Sequence, residues 1–128
     1  MKTIEFSTTQ KYEIVDLTDQ LADFVSKSKT KEGICLVFTP HATAAVILNE
    51  NEPNLCDDII LQAKTIFSGK YKHNKIDDNA QAHLGASFLG SSVTVPVVDS
   101  KPILGTWQSV LFVELDGPRK RRVVITTV

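Results

Sequence analysis

The chain has 128 residues, of which 42% are hydrophobic and 23% charged, with a formal net charge of −1. This is the composition of one globular domain, spanning residues 1–128, long enough to bury a core without disulfides or a structural metal. The near-neutral charge excludes a nucleic-acid binder that relies on a broad basic field, and no apolar stretch reaches the roughly 20 residues of a membrane-spanning helix.

The N-terminal stretch MKTIEFSTTQ lacks the apolar centre of a signal peptide, so a cytoplasmic protein is expected. Residues 2–8 alternate with Ile4 and Phe6 on one face, and 11–15 alternate with Tyr12 and Ile14, predicting two early strands. Asp16 is placed to cap a helix whose Leu17, Leu21, Phe24 and Val25 share a face. GICLVFT (33–39) is apolar at both parities, the pattern of a central strand, and TAAVIL (43–48) predicts the next one. With Pro40 and His41 between them, the two runs read as a hairpin.

Pro53 suits the first turn of a helix carrying Leu55, Ile59, Ala63, Ile66 and Phe67, which ends at Ser68-Gly69. Asp78 with Gln81 three residues on resembles a capping box for a short helix, AQAHLGASF, closed by Gly90. Three strands follow: 92–98, where Pro96 points to an edge or bulge; 106–115; and 121–128, joined to the previous one by the turn Asp116-Gly117-Pro118. In 106–115 the alternation makes Trp107 a core residue and leaves Glu114 either exposed on an edge, paired or functional, with exposure favoured. Strands joined by short turns, with helices in blocks, predict an α+β fold with a mixed, largely antiparallel sheet and short helices packed against it.

Walker, GxGxxG and GxSxG signatures are absent, which removes the common nucleotide and serine-hydrolase readings. Cys35 and Cys56 lie on apolar periodic positions outside any CxxC pair and read as reduced structural thiols. His41, His73 and His83 are the only histidines, all beside polar residues at loops or element ends. Three imidazoles with an open position would suit a catalytic zinc; three unrelated histidines, two of them hydrogen-bonded at helix or turn positions, are the alternative. Their second ring nitrogens would look to Asp77, Asp78 or Glu114. Asn49-Glu50 closes the second apolar run, about six residues or roughly 20 Å along a strand from His41. The pair is therefore not expected to share a site with His41 inside one chain. The run PRKRR at 118–122 reads as a solvated hairpin before an anion site.

TPHATAAVILNENEP, DDNAQAHLGASFLGSSVTVPV and LGTWQSVLFVELDGPRKRRVVI, in this order, resemble the YjbQ family, whose usual label is secondary thiamine-phosphate synthase. The resemblance covers almost the whole chain. It implies a compact α+β homotrimer in which His41 and His83 are site residues, often near a bound metal, and a weak activity that joins a hydroxymethylpyrimidine diphosphate to a thiazole phosphate with release of diphosphate. On that reading His41 and His83 hold a metal or the phosphate, Glu50 or Glu114 accepts a proton or supports the metal, and Arg119 neutralises phosphate charge. Asn49, Trp107 and Gln108 would bind the small phosphorylated substrate. The other readings are a metal-dependent hydrolase of a small phosphate or ester, and a non-catalytic trimer that binds an anion or metal.

Overall fold

A computed structural model describes all residues from Met1 to Val128. The elements run β1 (Lys2–Ser7), β2 (Glu13–Asp16), α1 (Thr18–Lys27), β3 (Gly33–Phe38), β4 (Ala44–Asn49), α2 (Pro53–Ile66), a 3-10 turn (Lys72–Lys75), α3 (Ala80–Leu89), β5 (Ser92–Val98), β6 (Lys101–Pro102), β7 (Ser109–Glu114) and β8 (Lys120–Thr127). The α+β class stands, with every strand pairing antiparallel.

The strands form two sheets, a five-stranded one in the order β1-β8-β3-β5-β6 and a three-stranded one in the order β2-β7-β4. This corrects the hairpin expected at His41. β3 pairs with β8 and β5, and β4 pairs with β7, so the 39–43 connection crosses from one sheet to the other. Two adjacent apolar runs are equally well buried by stacking in separate layers, and periodicity does not distinguish the two outcomes.

The layers explain the burial. Cys35, Val37, Val95, Val97, Val123 and Ile125 of the large sheet meet Ala44, Val46, Val110 and Phe112 of the small one, and Leu17, Leu21 and Val25 of α1 close the side. The opposite face of the small sheet, with Ala45, Val113 and Leu115, packs on Ala63 of α2 and Ala82 and Ala86 of α3. β7 is thus buried on both faces, and Val110, Leu111, Phe112 and Val113 are all buried in place of the alternation expected of 106–115. The outer face of the large sheet has no covering layer: Ile34 and Phe38 of β3 are exposed there, although β3 is the middle strand of five.

Helix ends depart from the expected caps. Leu17 occupies the N-cap of α1, and the Asp16 carboxylate accepts from the Thr18 N–H at 2.8 Å. The Asp78/Gln81 capping box does not form. Asn74 Oδ1 accepts from the Ala80 N–H at 3.1 Å instead, and the Gln81 amide donates to the Lys64 carbonyl across to α2. α2 begins as expected with Pro53, capped by Glu52, whose carboxylate accepts from the Asn54 and Leu55 N–H groups. Trp107 lies outside β7 in a turn and is 72% exposed, so it is not a core residue.

Candidate functional site

Strand parity decides what lies at the end of the inter-sheet core. Glu114 shares a face with Val110 and Phe112, and Arg121 of β8 shares one with Val123 and Ile125, so both point into the space between the sheets. Glu114, expected exposed, is fully buried, and Arg121 is 6% exposed; neither belongs to a solvated hairpin. Glu114 Oε2 accepts from Arg121 Nε at 2.7 Å and from the Thr8 hydroxyl at 2.8 Å. Its Oε1 accepts from Arg121 Nη2 and from the Leu115 and Asp116 N–H groups, each of the latter at 3.0 Å. Arg121 Nη2 also donates to Thr43 Oγ1 at 3.0 Å. Burial works to raise the Glu114 carboxyl, but the bonds from Arg121, the Asp116 N–H and the Thr8 hydroxyl outweigh it and hold it below its ordinary range. Glu114 therefore braces the two sheets and offers no free oxygen to a substrate proton.

His41 sits just outside this pair, on the connection between sheets. Its Nε2 accepts from the Arg122 backbone N–H at 3.0 Å. Burial, reinforced by the Arg121 and Arg122 charges and opposed by Glu114, lowers its pKa, so the ring is neutral at pH 7. A neutral ring that accepts at Nε2 carries its hydrogen on Nδ1. His41 is thereby a hydrogen-bond donor of defined tautomer.

His83 rises from α3 and lines one groove of about 340 Å³ with His41, Ala44, Ser87, Gly90 and Ser91. Small side chains along this groove let α3 lie close to β4, and the Val46 N–H bonds to the Gly90 carbonyl at 3.0 Å. His73, exposed in the 3-10 turn, stands edge-to-face against His83 with ring centroids 4.8 Å apart. A relay orients it. The Asp116 carboxylate accepts from Arg119 at 2.9 Å and from Asn79 Nδ2 at 3.1 Å, leaving Asn79 Oδ1 to accept from His73 Nε2 at 3.0 Å. His73 thus leans on Asn79, and neither Asp77, Asp78 nor Glu114 supports a histidine. Arg119, expected to meet phosphate, is engaged with the carboxylate and carbonyl of Asp116.

The three histidines do not assemble a zinc centre within one chain. No group of three or more His, Cys, Asp or Glu side chains stands close enough to hold a metal ion. The chemistry of His41 agrees: a metal on Nδ1 would move the hydrogen to Nε2, facing the Arg122 N–H donor. The remaining expected residues lie elsewhere. In the β4–β7 register, Ala44 pairs with Glu114 at the histidine end and Asn49 with Ser109 at the other. Asn49, Glu50, Trp107 and Gln108 therefore occupy the far end of the small sheet. There Asn49 Oδ1 accepts from the Glu50 N–H, and Gln108 Oε1 accepts from the Gly105 N–H, both at 2.8 Å. Cys35 is buried with its thiol pushed up to about 11 by desolvation. Cys56 is half-buried, and its thiol faces Asn51 Oδ1 at 3.5 Å. Sequence reasoning missed Thr8, Thr43, Asn79 and Arg121, which carry no local signal.

Fold and site together define a small two-sheet α+β protein with a paired-histidine groove braced by a buried ion pair. The chain belongs to the YjbQ-like UPF0047 family, whose family model matches residues 2–128. It is 47% identical to a UPF0047 protein of Archaeoglobus fulgidus over 124 residues, covering 95% of this chain and 96% of that one. It is 32% identical to the Bacillus subtilis UPF0047 protein YugU, covering 98% and 96%. Among solved structures, a YbjQ-like protein of unknown function from Sulfolobus solfataricus superposes with a TM-score of 0.96 at 47% identity, covering 98% of this chain and 94% of that one.

Proposed function

We propose that this chain is a small homotrimeric enzyme that takes a phosphorylated substrate in the groove between His41 and His83. The reaction proposed is of the thiamine-phosphate-synthase type. The carbon–oxygen bond to the diphosphate of a hydroxymethylpyrimidine breaks, the oxygen leaves with the electron pair, and the ring nitrogen of a thiazole phosphate forms the new carbon–nitrogen bond. What such a step needs from the protein is charge stabilisation on the departing oxygens, supplied by preorganised donors. The observation that carries the reading is the fixed tautomer of His41, whose Nδ1–H is a donor held by the Arg122 backbone at the edge of the groove. His83, across that groove, is the candidate to give a proton to the departing diphosphate oxygen.

The test is turnover of the purified protein with the two phosphorylated precursors, followed by chromatography of thiamine phosphate. His41→Phe is expected to lower the rate by about 10²–10³, the usual effect of losing one such donor, and His83→Gln by about 10²–10⁴, the range for an acid–base group. Wild-type protein without turnover, or variants that match wild type, would refute it.

The trimer is supported by two uncovered apolar surfaces of different shape, as a closed ring with unlike contacting faces requires. One is the outer sheet face with Ile34 and Phe38; the other is a helix groove with Ile59, Ile66 and Phe88. In a trimer, Asn49 and Glu50 of one chain are free to approach the histidine end of another. Light scattering that shows a monomer at micromolar concentration would rule this out. Zinc is carried as a second reading on the His73–His83 pair alone, with further ligands supplied by a neighbouring chain. Elemental analysis of wild type and of His73→Ala and His83→Ala, purified without a histidine tag, decides it.

A further inference from the structure

His41 borders two grooves. Besides the one shared with His83, it lines a second, of about 360 Å³, on the β1–β8 side, together with Glu5, Ser7, Lys120, Arg121 and Arg122. We propose that this second groove is an oxyanion subsite for a phosphate or diphosphate group, held by the Lys120 and Arg122 side chains beside His41. The proposal rests on the reading of the His41–His83 groove as a substrate site, and places a second anionic moiety on the other side of the same imidazole.

The alternation of β8 makes the site. Arg121 turns inward to Glu114, so Lys120 and Arg122 both turn outward, two residues or about 6.6 Å apart along the strand. The four arginines and lysines of this hairpin divide cleanly. Arg119 and Arg121 each have a carboxylate partner, on Asp116 and Glu114. Neither Lys120 nor Arg122 has a carboxylate within salt-bridge distance. Two unpaired cations side by side repel each other, and an anion between them relieves that repulsion while gaining charge-assisted hydrogen bonds.

Cross-strand partners refine the chemistry. Ser7 stands opposite Lys120 and Glu5 opposite Arg122. Ser7 adds a neutral hydroxyl donor. Glu5 adds a negative charge that opposes the ligand, which limits affinity and favours release, as a leaving-group site requires. Behind the groove the Glu114–Arg121 pair is internally neutral. Two compartments that meet at one donor suit a transfer between two substrates better than simple hydrolysis, which needs only one and a water.

The test is titration of the full-length protein with inorganic pyrophosphate at low ionic strength, by calorimetry and by the histidine ring resonances. Saturable binding that perturbs the His41 ring is expected. Lys120→Ala and Arg122→Ala should each weaken it about tenfold, the loss of one charge-assisted hydrogen bond. Arg122→Ala retains the backbone N–H that holds His41. Glu5→Gln should tighten binding, and this gain cannot come from a variant that merely fails to fold. His83→Gln should leave pyrophosphate affinity unchanged even if it abolishes turnover, which separates this proposal from the reaction assigned above. Wild-type protein that does not bind millimolar pyrophosphate, binding indifferent to Lys120, Arg122 and Glu5, or binding lost in His83→Gln would overturn it.

Discussion

Removing the Glu114 carboxylate tests the account of how this site is held. Glu114→Ala deletes the partner of Arg121, orphans the Asp116 N–H and leaves the Thr8 hydroxyl only the longer bond to the Arg119 carbonyl at 3.3 Å, with a buried guanidinium that has only Thr43 to bond. Breaking a buried pair in this way costs about 3–5 kcal/mol, because the surviving charge is desolvated without compensation. With an unfolding entropy of roughly 2.1 cal/mol/K per residue, a chain of this length loses about 4 °C in Tm per kcal/mol, so the expected fall is about 10–20 °C. Replacing both partners, as Glu114→Leu with Arg121→Met, should recover part of it, since no charge then remains unpaired. The carboxyl also makes stability depend on pH with a defined sign. Its folded pKa lies below the ordinary value, so its contribution is complete above the unfolded pKa of about 4.3 and disappears as pH falls through the folded value. The stability gap between wild type and Glu114→Gln should therefore be widest near pH 6–7 and shrink below about pH 4.3. Thermal and urea unfolding followed by circular dichroism would measure both. A Tm loss under about 4 °C for Glu114→Ala, equivalent to an exposed pair, or a gap that is constant from pH 7 to pH 3, would refute the reasoning.

Gly117→Ala should be destabilised by about 1–3 kcal/mol or more in urea titration, because an added Cβ would lie 2.1 Å from the Gln10 carbonyl oxygen and 2.9 Å from Thr8 Oγ1. The thiols should differ in reactivity: Cys56, half-buried, should react with a disulfide reagent in the native protein, whereas Cys35, fully buried and with its thiol pushed up to about 11, should react only on unfolding.

Much of the fold was legible because local periodicity reports directly on burial. The strands at 2–8, 33–39, 92–98 and 121–128, and the helices starting near Thr18, Pro53 and Ala80, follow from alternation, caps and Gly or Pro punctuation. Of the site, His41 and His83 could be singled out because histidines are few and lie at element ends, and the structure brings both to one groove. The separation of Asn49-Glu50 from His41 also followed from strand length and holds within the chain.

The ordered motifs and the hydrophobic periods, which depend only on neighbours along the chain, determined the family and the α+β class. Pairing across the two sheets decided the rest. No local pattern shows that β3 and β4 belong to different layers, because both are apolar runs whichever partner they take. Glu114 looked like an edge carboxylate because its partner, Arg121, arrives from another sheet, and a charge can be buried only where such a partner arrives. The donor role of His41 was invisible for the same reason: it is set by one N–H from a residue 81 positions away, brought there by the packing of the sheets.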